Sequence, residues 1–233
     1  MTHFNFSVPT THGLMDAYIS SQPGPSRPGI LLLPEIFGIN GAMRLAADQF
    51  ARANFTVLAP DLFSQIEPRL ELGYTDQDRN RAIAIWQKMD DAVALTDSRA
   101  AIKALASDPR CNGQVSVVGF CLGGKYALQL AAEGGVRSSV SFYPVRVTDY
   151  QDRLAGLSCP TQVHVGDDDA HIPPPVQKLL AERLSGSKIH EFHLYPGAGH
   201  GFFNSVRTFG YSPGAAGSAF ERAVDFLNRN SGA

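Results

Sequence analysis

The stretch Gly119-Phe120-Cys121-Leu122-Gly123-Gly124 has residue types and spacing that could do nucleophilic chemistry. It follows a short apolar run at 115–118 and precedes a helical pattern, the context of a nucleophile elbow. On such a sharp strand-to-helix turn the central residue has a strained backbone, and its neighbours must be small for chain segments to approach closely. Gly119 and Gly123 lie two positions either side of Cys121 and meet that need. The turn would place Cys121 at a helix N-terminus, where unpaired N–H groups and the helix dipole favour a thiolate. The N–H of Leu122 would then be free to hold an oxyanion. A cysteine after a strand is otherwise a small buried hydrophobe, but the flanking glycines argue against that here. Gly119 followed at Gly124-Lys125 also mimics the start of a phosphate loop, yet Tyr126 stands where a magnesium-binding Ser or Thr belongs.

A thiol attacking an acyl carbon needs a proton acceptor, and the acceptor needs a partner that fixes its tautomer. Where a nucleophile elbow is used, the order along the chain is nucleophile, acid, histidine. Two loops after strand patterns supply candidates in that order: Gly166-Asp167-Asp168-Asp169-Ala170-His171 and Pro196-Gly197-Ala198-Gly199-His200-Gly201. His200 is favoured as base because its glycine-rich loop lets the ring reach across the strand ends. His171 is the rival, while His164, His190 and His193 sit in or beside strand patterns and read as structural. The pattern alone does not choose among Asp167, Asp168 and Asp169. The aspartates with His171 faintly suggest a metal, but the spacing of a third ligand is missing, so neither metal nor cofactor is expected.

The elements that must position these residues are legible as alternating short apolar runs and longer amphipathic ones. Strands are expected at 4–8, 15–20, 29–33, 55–59, 115–118, 138–142, 161–165 and 189–195, and helices at 42–53, 122–132, 176–184 and 215–228. Residues 79–106 read as helix with one break near Asp90-Asp91, and 64–75 as irregular. The first two strands flank Thr-His-Gly and form an antiparallel hairpin. The later strands alternate with helices, which implies parallel pairing through crossovers. The expected architecture is an α/β fold in one domain, residues 1–233: a mostly parallel central sheet, an N-terminal antiparallel hairpin and helices on both faces.

With 233 residues, 44% hydrophobic and 18% charged, the chain can bury one sizeable core. A formal net charge of −2 gives no reason to expect nucleic acid or an anionic membrane as partner. Residues 1–11 lack the apolar run of a signal peptide, and no segment is long and apolar enough for a membrane span. Three cysteines with no CxxC spacing argue against a disulfide framework and for a cytoplasmic protein. The sequon Asn54-Phe55-Thr56 carries no meaning there.

Taken together, Pro34-Glu35-Ile36-Phe37-Gly38, Pro60-Asp61-Leu62-Phe63, the Cys121 turn and Gly197-Ala198-Gly199-His200-Gly201-Phe202 resemble the dienelactone hydrolase (carboxymethylenebutenolidase) family of α/β-hydrolases over nearly the whole chain. The resemblance implies Asp169 as the acid, through its spacing to Ile172-Pro173. It also gives a role to Glu35, a carboxylate oddly placed after an apolar run: contact with the resting thiol, and its deprotonation when substrate binds. The N–H of Ile36 would complete the oxyanion hole with that of Leu122. Of the two arginines with which the family's lactone enzymes hold a substrate carboxylate, Arg79 would be one, favoured over Arg81 by its spacing to Trp86. The second would fall at Asn204, where the charge is absent and Arg207 is the candidate substitute. Phe37, Trp86 and Tyr143 would line an apolar pocket. The implied activity is hydrolysis of a small lactone or ester through a cysteine acyl-enzyme, by a monomer or weak dimer. A carboxylesterase or thioesterase on the same triad is the neighbouring alternative. A redox-sensing or ligand-binding protein without turnover is the alternative of another class.

Overall fold

The computed structural model describes residues 3–207 and 209–232. By its internal contacts the chain divides into two compact units, residues 1–115 and 116–233, with the division inside the fifth strand. The fold is that of an α/β-hydrolase: a mixed sheet, antiparallel at its N-terminal hairpin and mostly parallel elsewhere, flanked by helices.

In the first unit β1 (Phe6–Thr10) and β2 (Gly13–Ser20) form the expected hairpin, joined at Thr11-His12. β2 runs antiparallel to β4 (Thr56–Pro60), which in turn pairs in parallel with β3 (Arg27–Leu33). β3 and β4 lie among the most buried segments, which is why they read as continuous apolar runs rather than alternating ones. Helix α1 (Gly41–Arg52) packs on β4 and β2 through Ala46, Ala47 and Phe50. The helix expected over 79–106 with one break is a pair: α2 (Asp76–Trp86) and α3 (Asp91–Ala106). The break falls where expected, because Asp90 caps α3 by accepting hydrogen bonds from the N–H groups of Ala92 and Val93. Thr75 and Asp78 form a capping box that starts α2 three residues before the expected point.

The irregular segment 64–75 is stitched down rather than free. Ile39 N–H donates to the Leu70 carbonyl at 3.1 Å and Leu72 N–H to that of Phe37 at 3.0 Å. Gly38 is required here. Its φ is 74°, and a Cβ would lie 1.9 Å from the Leu70 oxygen. Asn40 caps α1 with its side-chain oxygen, and its amide donates to Leu72 O at 2.8 Å and to the Tyr74 hydroxyl at 3.1 Å. Asp61 clips the other end of the segment by accepting from the N–H groups of Phe63 and Arg69. Burial nevertheless pushes the Asp61 carboxyl up to about 6, against those two bonds.

In the second unit the parallel order is β5 (Cys111–Phe120), β6 (Ser139–Phe142), β7 (Thr161–Gly166) and β8 (Glu191–Tyr195). Helix α4 (Leu122–Glu133) packs on β6, α5 (Pro174–Ser185) on β8 and α6 (Pro213–Asn230) on β7. Two short 3-10 turns, Val147–Asp149 and Gln151–Gly156, were not expected; the second, which buries Leu154, packs against α4. Buried His164 satisfies both ring nitrogens, with Tyr195 Oη and Gln162 Oε1 at 2.8 Å each, so its structural reading holds.

Replacing Asn40 by Ala removes the α1 cap and two ties to the 64–75 segment. The expected loss is about 1–3 kcal/mol of unfolding free energy in urea titration.

Candidate active site

The residues with chemistry in the second unit are delivered by the C-terminal ends of its strands. β5 ends at Phe120, and the chain turns through Cys121 directly into α4. Cys121 has φ 55° and ψ −110°, a backbone conformation an L-residue adopts only under constraint. The constraint is steric. A Cβ on Gly119 would sit 2.0 Å from the carbonyl oxygen of Gly123, and one on Gly124 would sit 2.8 Å from that of Phe142. The Cys121 N–H is committed to the Phe142 carbonyl at 3.0 Å. Leu122 is the first residue of α4, and first-turn N–H groups have no partner within a helix. The Cys121 sulfur is buried, with the residue 8% exposed.

β7 ends at Gly166, and the loop beyond it carries three aspartates that the structure separates by role. Asp167 accepts from the Gly197 N–H at 2.6 Å, so it ties its loop to the glycine loop after β8. Asp168 is exposed in the same turn, and its N–H donates to the Ala198 carbonyl. Asp169 is buried. Its Oδ1 accepts from the backbone N–H of His171 and its Oδ2 from Nδ1 of His200, each at 2.8 Å. With Nδ1 donating to a carboxylate, Nε2 is left to face a second partner, and the His200 side chain hydrogen-bonds the Cys121 sulfur. Burial alone would lower the His200 pKa. The charge on Cys121 and the hydrogen bonds to Asp169 and Cys121 outweigh it and raise the imidazole to about 10. Tyr143 packs edge-on against the His200 ring at 5.1 Å, and the His171 ring lies 4.5 Å away on a tilt. The arrangement is an imidazole held between Asp169 and Cys121, able to pass a proton to or from a bound group. No set of three or more His, Cys, Asp and Glu side chains that could hold a metal occurs among the described residues.

The Dienelactone hydrolase family matches residues 15–231 of the sequence. The chain belongs to this family. A carboxymethylenebutenolidase of Pseudomonas putida is 32% identical over 212 residues, spanning 91% of this chain and 89% of that protein. Among solved structures, a dienelactone hydrolase-like promiscuous phosphotriesterase from metagenomic libraries aligns with a TM-score of 0.81. It is 20% identical and covers 97% of this chain and 98% of its own. A dienelactone hydrolase from Anabaena variabilis gives 0.71 at 18% identity, covering 97% and 96%. This membership makes the chain a carboxylic ester hydrolase of the dienelactone hydrolase type.

The other residues expected from the family pattern fall as follows. Glu35 is buried, 1% exposed, on the loop after β3, and the Tyr74 hydroxyl donates to its carboxylate at 3.5 Å. Ile36 and Phe37 are buried beside it, and Phe37 meets Tyr74 edge-on at 4.8 Å. Tyr74 thus touches two expected site residues and was not singled out from the sequence, because it sits in a segment with no periodicity. Arg79 is exposed on α2, whereas Arg81 is engaged by Glu67; Trp86 is half-buried at the end of the helix. Asn204 is 3% exposed and accepts from the Val206 N–H at 3.1 Å. Arg207 donates to the His200 carbonyl at 3.3 Å and lies over the Phe209 ring. Gly201 makes room for it, since a Cβ there would lie 1.7 Å from the guanidinium.

A group whose folded pKa is raised adds stability fully below its unfolded value, about 6.5 for histidine, and loses it as pH rises through the folded value. His200 therefore stabilises the fold at neutral pH, and that contribution fades as pH approaches about 10. Cys121→Ala removes the largest of the raising causes. Its His200 should titrate well below the wild-type value in an NMR pH series of the imidazole protons.

Proposed function

We propose that the chain hydrolyses a small lactone or ester through an acyl-enzyme on Cys121. The observation that carries this reading is the line Asp169–His200–Cys121, with the thiol on a strained turn at the start of α4. In the proposed cycle His200 accepts the thiol proton and Asp169 holds the ring in the tautomer that allows it. The sulfur attacks the acyl carbon, and the oxyanion is held by the N–H groups of Leu122 and Ile36. His200 then donates a proton to the leaving oxygen and activates a water that releases the acid. Glu35 assists deprotonation of Cys121 when substrate is bound, with Tyr74 steadying its carboxylate. Phe37, Trp86 and Tyr143 line the acyl pocket, and Arg79, exposed and not engaged by Glu67 as Arg81 is, anchors a substrate carboxylate.

We also propose that residues 1–233 act as one domain, which the continuous family match across 15–231 supports. Among the described residues no helix is long and apolar enough to cross a membrane, and all three cysteines are free and buried. The free thiols support a reducing cytoplasm, and the reading there is a monomer or weak dimer.

A second reading, a general carboxylesterase or thioesterase on the same machinery, is favoured by the second arginine position. Asn204 carries no charge, and Arg207 is already bonded to the His200 carbonyl.

Two assays separate these readings: steady-state turnover of a dienelactone bearing a free carboxylate, and of a neutral p-nitrophenyl ester. Efficient lactone turnover supports the first reading, and a preference for the neutral ester the second. Cys121→Ala is expected to lose about a thousandfold or more of either activity while keeping its far-ultraviolet circular dichroism. Full activity in that variant would sink the nucleophile assignment. Arg79→Ala should raise KM for the carboxylate substrate by about tenfold and leave the neutral ester unchanged.

A further inference from the structure

Outside the candidate site, the second unit holds a cluster of titratable and charged side chains where α6 meets β7 and β8. Buried Gln162 and His164 come from β7, Glu191, His193 and Tyr195 from β8, and Arg222 and Arg229 from α6. Their hydrogen bonds interlock, and chemistry assigns each proton. A guanidinium only donates and an ionised carboxylate only accepts. Glu191 therefore takes the Gln162 amide on Oε2 at 2.7 Å and Arg229 on Oε1 at 2.9 Å. That leaves Gln162 Oε1 toward Nε2 of His164 at 2.8 Å, so this nitrogen carries the hydrogen. Nδ1 of His164 then accepts from the Tyr195 hydroxyl at 2.8 Å.

The same logic fixes His193. Arg222 Nη1 lies 3.0 Å from Nδ1 of His193, so Nδ1 must offer a lone pair. The ring hydrogen sits on Nε2, 3.1 Å from Glu191 Oε2. Gln162 Nε2 lies 3.2 Å from that nitrogen because both donors point at the same carboxylate oxygen. The bond from Arg222 exists only while the His193 ring is neutral. Burial holds this imidazole below its ordinary range, and the Arg222 charge adds to that while Glu191 opposes it. His164, wholly buried and stacked on His193 at 5.2 Å, is held well below the ordinary range by its burial.

We infer that Arg222 and His193 form an acid-released latch between α6 and β8, in which uptake of one proton at Nδ1 of His193 expels the guanidinium. Solvent supplies the proton, since His193 is half-buried and Arg222 exposed. The cationic ring stays on Glu191, and Arg222 turns outward from the Tyr195 ring that it covers at 5.7 Å. Of the two side-chain ties from α6 to β8, only Arg229–Glu191 then remains. Burial opposes ionisation of Glu191, but its bonds to Arg229, Gln162 and His193 outweigh that and hold its carboxyl below the ordinary range, so this second tie survives the first.

A histidine whose folded pKa lies below its unfolded value, about 6.5, contributes stability that is whole above that value. The contribution is lost as pH falls through the folded value. The test is long-range proton–nitrogen NMR of the imidazoles in the full chain, with urea titrations as pH is lowered from about 7.5 to about 5. At the upper pH, His193 should carry its hydrogen on Nε2 and none on Nδ1. Arg222→Met keeps the apolar stem and removes the donor. It should move the His193 titration upward, shrink the acid loss of unfolding free energy relative to wild type, and leave p-nitrophenyl ester turnover at neutral pH unchanged. His193→Gln, which has nothing to titrate, should shrink the same acid loss. A hydrogen on Nδ1 at the upper pH, or an unmoved His193 titration in Arg222→Met, would overturn the inference. If Arg222→Met fails to fold, an undiminished acid loss in His193→Gln overturns it instead.

Discussion

At Cys121 the chain is held with φ 55° and ψ −110°, and much of the second unit is arranged so that this turn cannot relax. Backbone of this kind costs on the order of 1–3 kcal/mol and persists only where its surroundings over-determine it. Here the determination comes from three directions. Gly119 lets β5 pass against the Gly123 carbonyl, Gly124 lets α4 approach β6, and the Cys121 N–H is spent on Phe142. Ser141 and Ser139 of β6 donate to the carbonyls of Gly124 and Ala127, which fastens the first two turns of α4 along the strand. Ten of the helix's twelve residues are buried, so it has no freedom to swing away. The sulfur is thereby fixed at a helix N-terminus, where the dipole favours negative charge.

The acid and base depend on that fixed point. A proton relay works only if donor and acceptor stay within hydrogen-bond reach, and both come from loops. Those loops are locked to each other rather than to the thiol. Asp167 accepts from Gly197, the Asp168 N–H donates to Ala198, and Gly166 must lack a Cβ because one would fall 2.0 Å from the Ala198 oxygen. With β7 and β8 paired in register below them, the two loops behave as one support for the Asp169–His200 pair. Edge-on Tyr143 and the tilted ring of His171 restrict the imidazole laterally. His171 is therefore a neighbour of the His200 ring. Its own backbone N–H completes the hydrogen bonding of Asp169.

Features with a local physical cause were legible in the sequence. The buried parallel strands read as apolar runs, the hairpin turn as Thr-His-Gly, and the break before α3 as an aspartate pair that proved to contain its cap. The Cys121 turn was legible because its steric demand falls on residues two positions away. The choice among Asp167, Asp168 and Asp169 was not, because all three are the same residue type in one loop. Only the partner across the gap, Gly197 in one case and His200 in another, distinguishes them. The same limit hid Tyr74, whose contacts with Asn40 and Glu35 span more than thirty residues of sequence, and the 3-10 turn Gln151–Gly156 packed on α4. Side chains chosen by distant partners leave no period to read.

The loop after His200 shows how an anion anchor and a structural brace compete for one cation. Arg207 reaches back through the space Gly201 leaves open and bonds the carbonyl of His200 itself. A guanidinium has five donors, so one bond to a carbonyl does not exhaust it. Its position is nonetheless set by that bond and by the Phe209 ring beneath it. To grip a substrate carboxylate bidentately it would have to rotate away from His200 and leave the loop without that tie. Asn204, buried and accepting from Val206, is likewise occupied in holding the loop's shape. In this chain Asn204 and Arg207 are both engaged in holding the shape of the loop after His200. Selectivity for a charged substrate would then rest on Arg79 alone, at an exposed site where salt screening weakens it.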